Sequence, residues 1–146
     1  MNSFLKIPQK VHHALLVVGK LAERHADGAP VSLQEIARSA QLSQGFLEEI
    51  AADLRRANIV ESRRGARGGY ILAHDPADIT VGDVIESIEG PIRMVDCLGA
   101  TVDCAIASGC TNRSIWSGLQ QKVQDTLQKT TIADMIGTPT HSYVEG

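Results

Sequence analysis

Ser32-Leu33-Gln34-Glu35-Ile36-Ala37-Arg38-Ser39-Ala40-Gln41-Leu42-Ser43-Gln44-Gly45-Phe46-Leu47 contains two helix starts in close succession. Ser32 and Glu35 have the spacing of a capping box, in which each side chain accepts from the other residue's backbone amide. Ile36, Ala37 and Ala40 then fall on one face, and this first helix ends near Gln41. Ser43 opens the second. Leu42 before that cap and Leu47 four residues after it are placed as a hydrophobic staple. Leu47, Ile50, Ala51 and Leu54 continue at helical spacing as a core stripe, which leaves Gln44, Gly45, Glu48 and Glu49 on the outer face. Two short capped helices joined by a tight turn form either a helix-turn-helix, with the second helix in the recognition position, or an ordinary helical hairpin.

The residues downstream favour the first. Ile59-Val60-Glu61-Ser62-Arg63-Arg64 reads as a strand and Tyr70-Ile71-Leu72-Ala73 as its return, around the glycine-rich turn Gly65-Ala66-Arg67-Gly68-Gly69. Arg55, Arg56, Arg63, Arg64 and Arg67 lie within thirteen residues, opposed only by Glu61. A hairpin with arginine at its base and tip, directly after a helix-turn-helix, is a wing. Arginine enters narrow minor grooves and contacts phosphates there.

Upstream, a helix is expected from about Pro8 to His25, with Pro8 at its first position. Val11, Ala14, Leu15, Val18, Leu21 and Ala22 recur at helical spacing, and Leu16 and Val17 widen the face. His12 and His13 are expected at partly exposed positions. Downstream, Asp75-Pro76 marks a linker, and Thr80 with Asp83 caps a fourth helix that Gly90-Pro91 stops. A longer helix follows from about Asn112 to Lys129, with Trp116, Leu119, Val123 and Leu127 as a narrow seam of the kind two helices share. A seam on a chain this small needs a partner, and a homodimer is expected. Thr131 and Asp134 start one last short helix.

The fold class is therefore mainly α with a small β-hairpin wing: a winged helix-turn-helix with a long C-terminal dimerisation helix. Its expected organisation is a DNA-binding domain over residues 1–79, a helix and cysteine loop over 80–111, the dimerisation helix and final helix over 112–137, and a mobile tail over 138–146. The chain has 146 residues, 43% of them hydrophobic but only 3% aromatic, so its core is aliphatic. The net charge of −3 argues against a generally basic nucleic-acid binder but leaves local patches open. No apolar run reaches the roughly 18 residues that cross a membrane. Met1-Asn2-Ser3-Phe4-Leu5-Lys6 carries no apolar signal region, and a cytoplasmic protein is expected. No nucleophile–base pairing or phosphate loop points to an enzyme.

All three cysteines fall in Cys97-Leu98-Gly99-Ala100-Thr101-Val102-Asp103-Cys104-Ala105-Ile106-Ala107-Ser108-Gly109-Cys110, spaced Cys-x6-Cys-x5-Cys. The odd count argues against a disulfide framework. A structural zinc site usually has a closer cysteine pair and a fourth ligand nearby. An iron–sulfur cluster tolerates wider spacing, and three buried core cysteines are also consistent with the pattern.

In this order these elements resemble the Rrf family of bacterial winged-helix regulators, from about Pro8 to Met135. The stretches that carry the resemblance are Val31-Ser32-Leu33-Gln34-Glu35-Ile36-Ala37, Phe46-Leu47-Glu48, Arg64-Gly65-Ala66-Arg67-Gly68-Gly69-Tyr70, Ile79-Thr80-Val81 and Ile88-Glu89-Gly90-Pro91, then the three cysteines and Trp116. The resemblance implies a homodimeric transcription factor on double-stranded operator DNA. It implies Cys97, Cys104 and Cys110 as ligands of an iron–sulfur cluster, two-iron or four-iron, whose state controls DNA affinity in response to redox state, nitric oxide, oxygen or iron supply. The expected DNA contacts are Ser32, Ser43, Gln44, Gly45, Phe46, Glu48, Arg63, Arg64, Arg67 and Gly68. The fourth ligand departs from the family pattern. Some relatives carry a histidine three residues past the last cysteine, where this chain has Arg113. Others use an acidic residue near the start of helix one, where it has Gln9. His12 is the expected substitute, ahead of His13, Asp96 and Asp103, and an open iron with a small exogenous ligand is the alternative. A cluster-free regulator in which the same three cysteines respond as thiols also fits.

Overall fold

The computed structural model describes residues 5–95, 98 and 110–137. Six α-helices and one hairpin follow in the order α1 (Gln9–Glu23), α2 (Leu33–Ala40), α3 (Gln44–Arg56), β1 (Val60–Arg63), β2 (Gly69–Leu72), α4 (Val81–Glu89), α5 (Thr111–Lys129) and α6 (Ile132–Gly137). Single 3-10 turns at His25–Asp27 and Pro76–Asp78 join α1 to α2 and β2 to α4. This is the expected winged helix-turn-helix followed by a long helix.

The core is aliphatic throughout. Val11, Val17 and Val18 of α1, Ile36 of α2, Leu47, Ile50 and Leu54 of α3, Val60 of β1, Val84 of α4 and Ile132 of α6 are fully buried. Burying one such side chain stabilises by about 1.5–3 kcal/mol, against about 1 kcal/mol for a helix cap. Packing therefore decides that these helices form, and the caps decide where they begin. Ser43 accepts from the Phe46 amide at 3.2 Å. Thr80 and Asp83 form a complete capping box, and Thr131 and Asp134 bond reciprocally at the start of α6.

Two helix starts differ from the sequence reading. Pro8 is the N-cap of α1, with extended ψ of 140°, not its first helical residue. Ser32 accepts from the Glu35 amide at 3.1 Å, but the Glu35 carboxylate turns away to pair with Arg24 at the end of α1. An ion pair between two helices replaces the second half of the capping box. The turn from α2 to α3 is made by Gln41, in the left-handed region at φ 57°.

The hairpin pairs Val60 with Leu72, Glu61 with Ile71, Ser62 with Tyr70 and Arg63 with Gly69. Its return strand also bonds to the residue before α2: the Val31 amide donates to the Tyr70 carbonyl at 3.0 Å and the Tyr70 amide to the Val31 carbonyl at 2.9 Å. This bridge ties the wing to the helix-turn-helix. It requires glycine at position 69, because a Cβ there would lie 2.4 Å from the Val31 carbonyl oxygen.

The last short helix returns to the head, where Ile132 is fully buried. The α5–α6 corner is held to the start of α4 by the Val81 amide on the Thr130 carbonyl and the Ile132 amide on the Ile79 carbonyl, both at 2.8 Å. By contrast α5 has no buried residue along its 19-residue length. No described helix is long and apolar enough to cross a membrane.

Gly69→Ala should lower the thermal midpoint by at least about 2 °C, from about 1–3 kcal/mol of backbone displacement at roughly 2–4 °C per kcal/mol. Gly45→Ala, at a helical position with nothing near its added methyl, should leave the midpoint unchanged or raise it. Circular-dichroism melts of the two variants decide. Equal midpoints would show that the bridge does not constrain the wing.

Candidate nucleic-acid interface and cysteine site

The first turn of α3 is presented outward. Gln44, Gly45 and Glu48 are exposed, as is the cap Ser43, while Leu47 beneath them is buried. Phe46 points the other way: it is half-buried and packs edge-on against the His13 ring with centroids 5.5 Å apart. Ser32, half-buried, is occupied as the cap of α2.

The arginine hairpin follows α3 in the chain and packs against it through β1. Arg63, Arg64 and Arg67 are exposed. Arg63 lies 3.5 Å from Glu61 within its own strand, whereas Arg64 and Arg67 make no ion pair with another described residue. Gly68 closes the turn, its amide donating to the Gly65 carbonyl at 3.0 Å. Arg56, at the end of α3, is held by Asp53 at 2.9 Å, so it is less available than Arg64 and Arg67. Exposed polar side chains on a helix N-terminus can read base edges, and exposed guanidinium groups can bind phosphates.

Asp53 also holds Lys10 of α1 at 2.9 Å. The hydrogen bond with Asp53 raises Lys10 above the ordinary lysine range. The same bond holds Asp53 below the ordinary carboxylate range, with Arg56 adding to it. Nothing local in the sequence signals this pair, because its members are far apart in the chain and neither breaks a local pattern.

Of the three cysteines only Cys110 is described; Cys97 and Cys104, with Asp96 and Asp103, lie outside the described residues, as does the expected tail 138–146. Cys110 is the N-cap residue of α5, and its side chain makes no capping bond. It is half-buried and lines a cleft of about 690 Å³ with Leu98, Arg113, Ser114, Ser117, Gly118 and Gln120. A thiol with no capping bond at the edge of a cleft suits a metal ligand or a reactive thiol. The approach to the loop is tied to the same helix: the Met94 amide donates to Gln120 Oε1 at 2.8 Å, and Gln124 Nε2 to the Ile92 carbonyl at 3.1 Å.

His12 does not share the Cys110 cleft. It is exposed and lines a groove between α1 and α6 with Leu15, Leu16, Met135 and Ile136. Within one chain it is not brought to Cys110. His13 is half-buried, and its Nδ1 is buried with no hydrogen-bond partner among the described residues. Among the described residues no three His, Cys, Asp or Glu side chains converge as a metal site.

The seam expected on α5 is open. Trp116, Val123 and Leu127 are half-buried and Leu119 is 37% exposed. Next to it, Leu5, Met94, Val95, Trp116 and Leu119 line a small apolar cavity.

A family model described as Rrf2, iron-dependent transcriptional regulator, matches residues 7–138. The HTH-type transcriptional regulator CymR of Bacillus subtilis is 36% identical over 142 residues, 97% of this chain and 94% of the relative. The solved structure of that protein, described as the global cysteine regulator of B. subtilis, superposes with a TM-score of 0.76 over 90% of this chain and 96% of its own. The structure of T. potens IscR superposes with a TM-score of 0.71 at 36% identity, over 90% of this chain and 86% of that one.

The Lys10–Asp53 pair predicts a pH profile. Asp53 is lowered, so its share of stability is complete above the ordinary carboxylate value of about 4 and is lost as pH falls through its own lower value. Lys10 is raised, so its share is complete below about 10.4 and is lost as pH rises through its own higher value. The difference in urea midpoint between the unsubstituted protein and Lys10→Met should thus be widest between about pH 4 and pH 10 and shrink toward zero in stronger acid. A difference independent of pH would mean that Lys10 contributes by packing alone.

Proposed function

Since the chain belongs to the Rrf2 family of transcriptional regulators, we propose that it acts as a homodimer joined along α5, with α3 reading operator DNA and the cysteine loop setting the affinity. It is a DNA-binding regulator and not an enzyme. The observation that carries the DNA reading is the outward first turn of α3 together with a hairpin whose exposed Arg64 and Arg67 make no ion pair among the described residues. Gln44 is suited to adenine, and Glu48 accepts from cytosine N4. Ser43 and Gly45 allow close approach. Arg63, Arg64, Arg67 and the Gly68 backbone supply the salt-dependent phosphate and minor-groove contacts, while Ser32 and Phe46 hold the reading helices in place. Two copies of α3 would enter successive major grooves about 34 Å apart. The open seam on α5 supports the dimer, because a helix with no buried residue gains its stability from a partner.

For the sensor we propose an iron–sulfur cluster on Cys97, Cys104 and Cys110. In support, the matching family model is described as iron-dependent, an IscR structure superposes on this chain, and Cys110 presents a thiol free of capping bonds to a cleft. Bound, such a cluster supplies metal–thiolate bonds that fix the loop and that oxygen or nitric oxide can break. The chain transmits the loop's shape, because one end of the loop is the N-cap of α5 and the other is held to α5 by Gln120 and Gln124. A fourth ligand from His12 has to come from the partner subunit, since His12 lies in another groove of its own chain. The second reading is a cluster-free regulator in which these three cysteines respond as thiols. It is favoured by the likeness to a protein described as a global cysteine regulator.

Purification without air separates the two. Visible absorbance with matching iron and acid-labile sulfide, lost in Cys110→Ala, supports the cluster. Colourless protein that stays free of sulfide after reconstitution removes it and leaves the thiol reading. On DNA, Arg64→Ala should weaken binding to all sequences and reduce the salt slope by about one; an unchanged slope rejects the wing assignment. Glu48→Ala should instead change which base is tolerated at one position of the selected duplex, and a uniform loss would reject its reading role.

A further inference from the structure

The recognition helix is gripped at both ends by one face of α1. Lys10 and His13 are three residues apart on that helix and so lie side by side. Their partners on α3 are Asp53 and Phe46, seven residues or about two turns apart. Phe46 is in the first turn of α3, beside the outward Gln44, Gly45 and Glu48, and Asp53 is in the last. α3 meets the core through Leu47, Ile50 and Ala51 between these two contacts and through Leu54 just past the second.

Those four contacts are aliphatic and non-directional. They hold α3 against the core but define its rotation about its own axis poorly. An ion pair at 2.9 Å and an edge-on ring contact are directional. A rotation of about 20° moves a side-chain tip on a cylinder of about 6 Å radius by roughly 2 Å. That shift exceeds what a base-edge hydrogen bond tolerates. The ion pair is partly shielded, with Asp53 only 18% exposed. The His13 Nδ1 buried without a partner indicates that this ring is used for its shape rather than for its hydrogen bonding.

We infer that Lys10 and His13 are positioning residues for DNA reading, fixing the rotation of α3 so that Gln44 and Glu48 meet the bases without themselves touching DNA. The inference rests on the proposal that α3 is the reading helix.

The test uses the full-length dimer and two probes: the tightest duplex that the unsubstituted protein recovers from a randomised 30-base-pair pool, and a scrambled duplex of equal length. Recovery of a duplex tests the reading helix; the ratios between variants test the positioning. Binding is followed by fluorescence anisotropy across a salt series, on variants whose circular dichroism shows them folded. Lys10→Met should weaken the selected duplex about tenfold, leave the scrambled duplex within about twofold, and leave the salt slope unchanged. Lys10→Arg and the charge exchange K10D/D53K, in which Arg56 is free to turn to solvent, should recover most of the loss. His13→Ala should behave like Lys10→Met, and His13→Phe, which keeps an edge-on ring, should restore affinity. Equal loss on both duplexes with a shallower salt slope would make Lys10 a phosphate contact and overturn the inference. Unchanged affinity alongside a lower melting temperature would reduce both residues to structural roles and also overturn it.

Discussion

The buried face of α3 is the constraint on which the head depends. Leu47, Ile50 and Leu54 are completely buried, and α1, β1 and α4 pack around them. With no large aromatic side chain fully buried among the described residues, this core supplies cohesion but little direction. Direction comes from polar devices at its edge: the caps Ser32, Ser43 and Thr80, the Arg24–Glu35 and Lys10–Asp53 pairs, and the Val31–Tyr70 bridge. Each is worth far less than the core, yet together they determine where the outward residues of α3 and the hairpin stand.

The local devices were legible in the sequence and the long-range ones were not. Apolar spacing gave the buried stripes of α1 and α3, and the glycine-rich turn between two β-branched runs gave the wing. These signals operate within a few residues, where chain geometry leaves few choices. Glu35 reads as the second half of a capping box, because nothing local reveals that Arg24 ends up beside it. Pro8 was placed one residue inside its helix for a similar reason, since proline is compatible with both positions. The Val31–Tyr70 bridge joins residues thirty-nine apart and shows in sequence only as an unexplained glycine at 69. The site followed the same division: Gln44, Gly45, Glu48, Arg64 and Arg67 were readable as outward positions, whereas the inward turn of Phe46 against His13 required the tertiary fold. The cysteines were readable as a pattern of spacing, and spacing does not define what they bind.

How a change at the cysteine loop reaches α3 follows from where the rigid joints lie. Both flanks of the loop are attached to α5, at Cys110 and through Gln120 and Gln124. The far end of α5 is attached to α4 and α6 by the backbone bonds at Val81 and Ile132 and by the Thr80 hydroxyl on Gln128 at 3.0 Å. Between those joints α5 touches the head with no buried residue. With the polar pairs at its edge in place, the close-packed head resists internal deformation, because a shift then breaks those pairs as well as opening voids. In the proposed switch, movement of α5 would therefore be taken up as rotation of the head about the α4–α6 joint, not as a change of shape within it. In the proposed dimer such rotation alters the separation and tilt of two intact reading helices. A duplex presents its grooves at fixed intervals, so it is sensitive to that separation even when neither α3 has changed. The grip of α1 on α3 belongs to the same logic: a head that moves as one body transmits a hinge motion to its DNA face without loss.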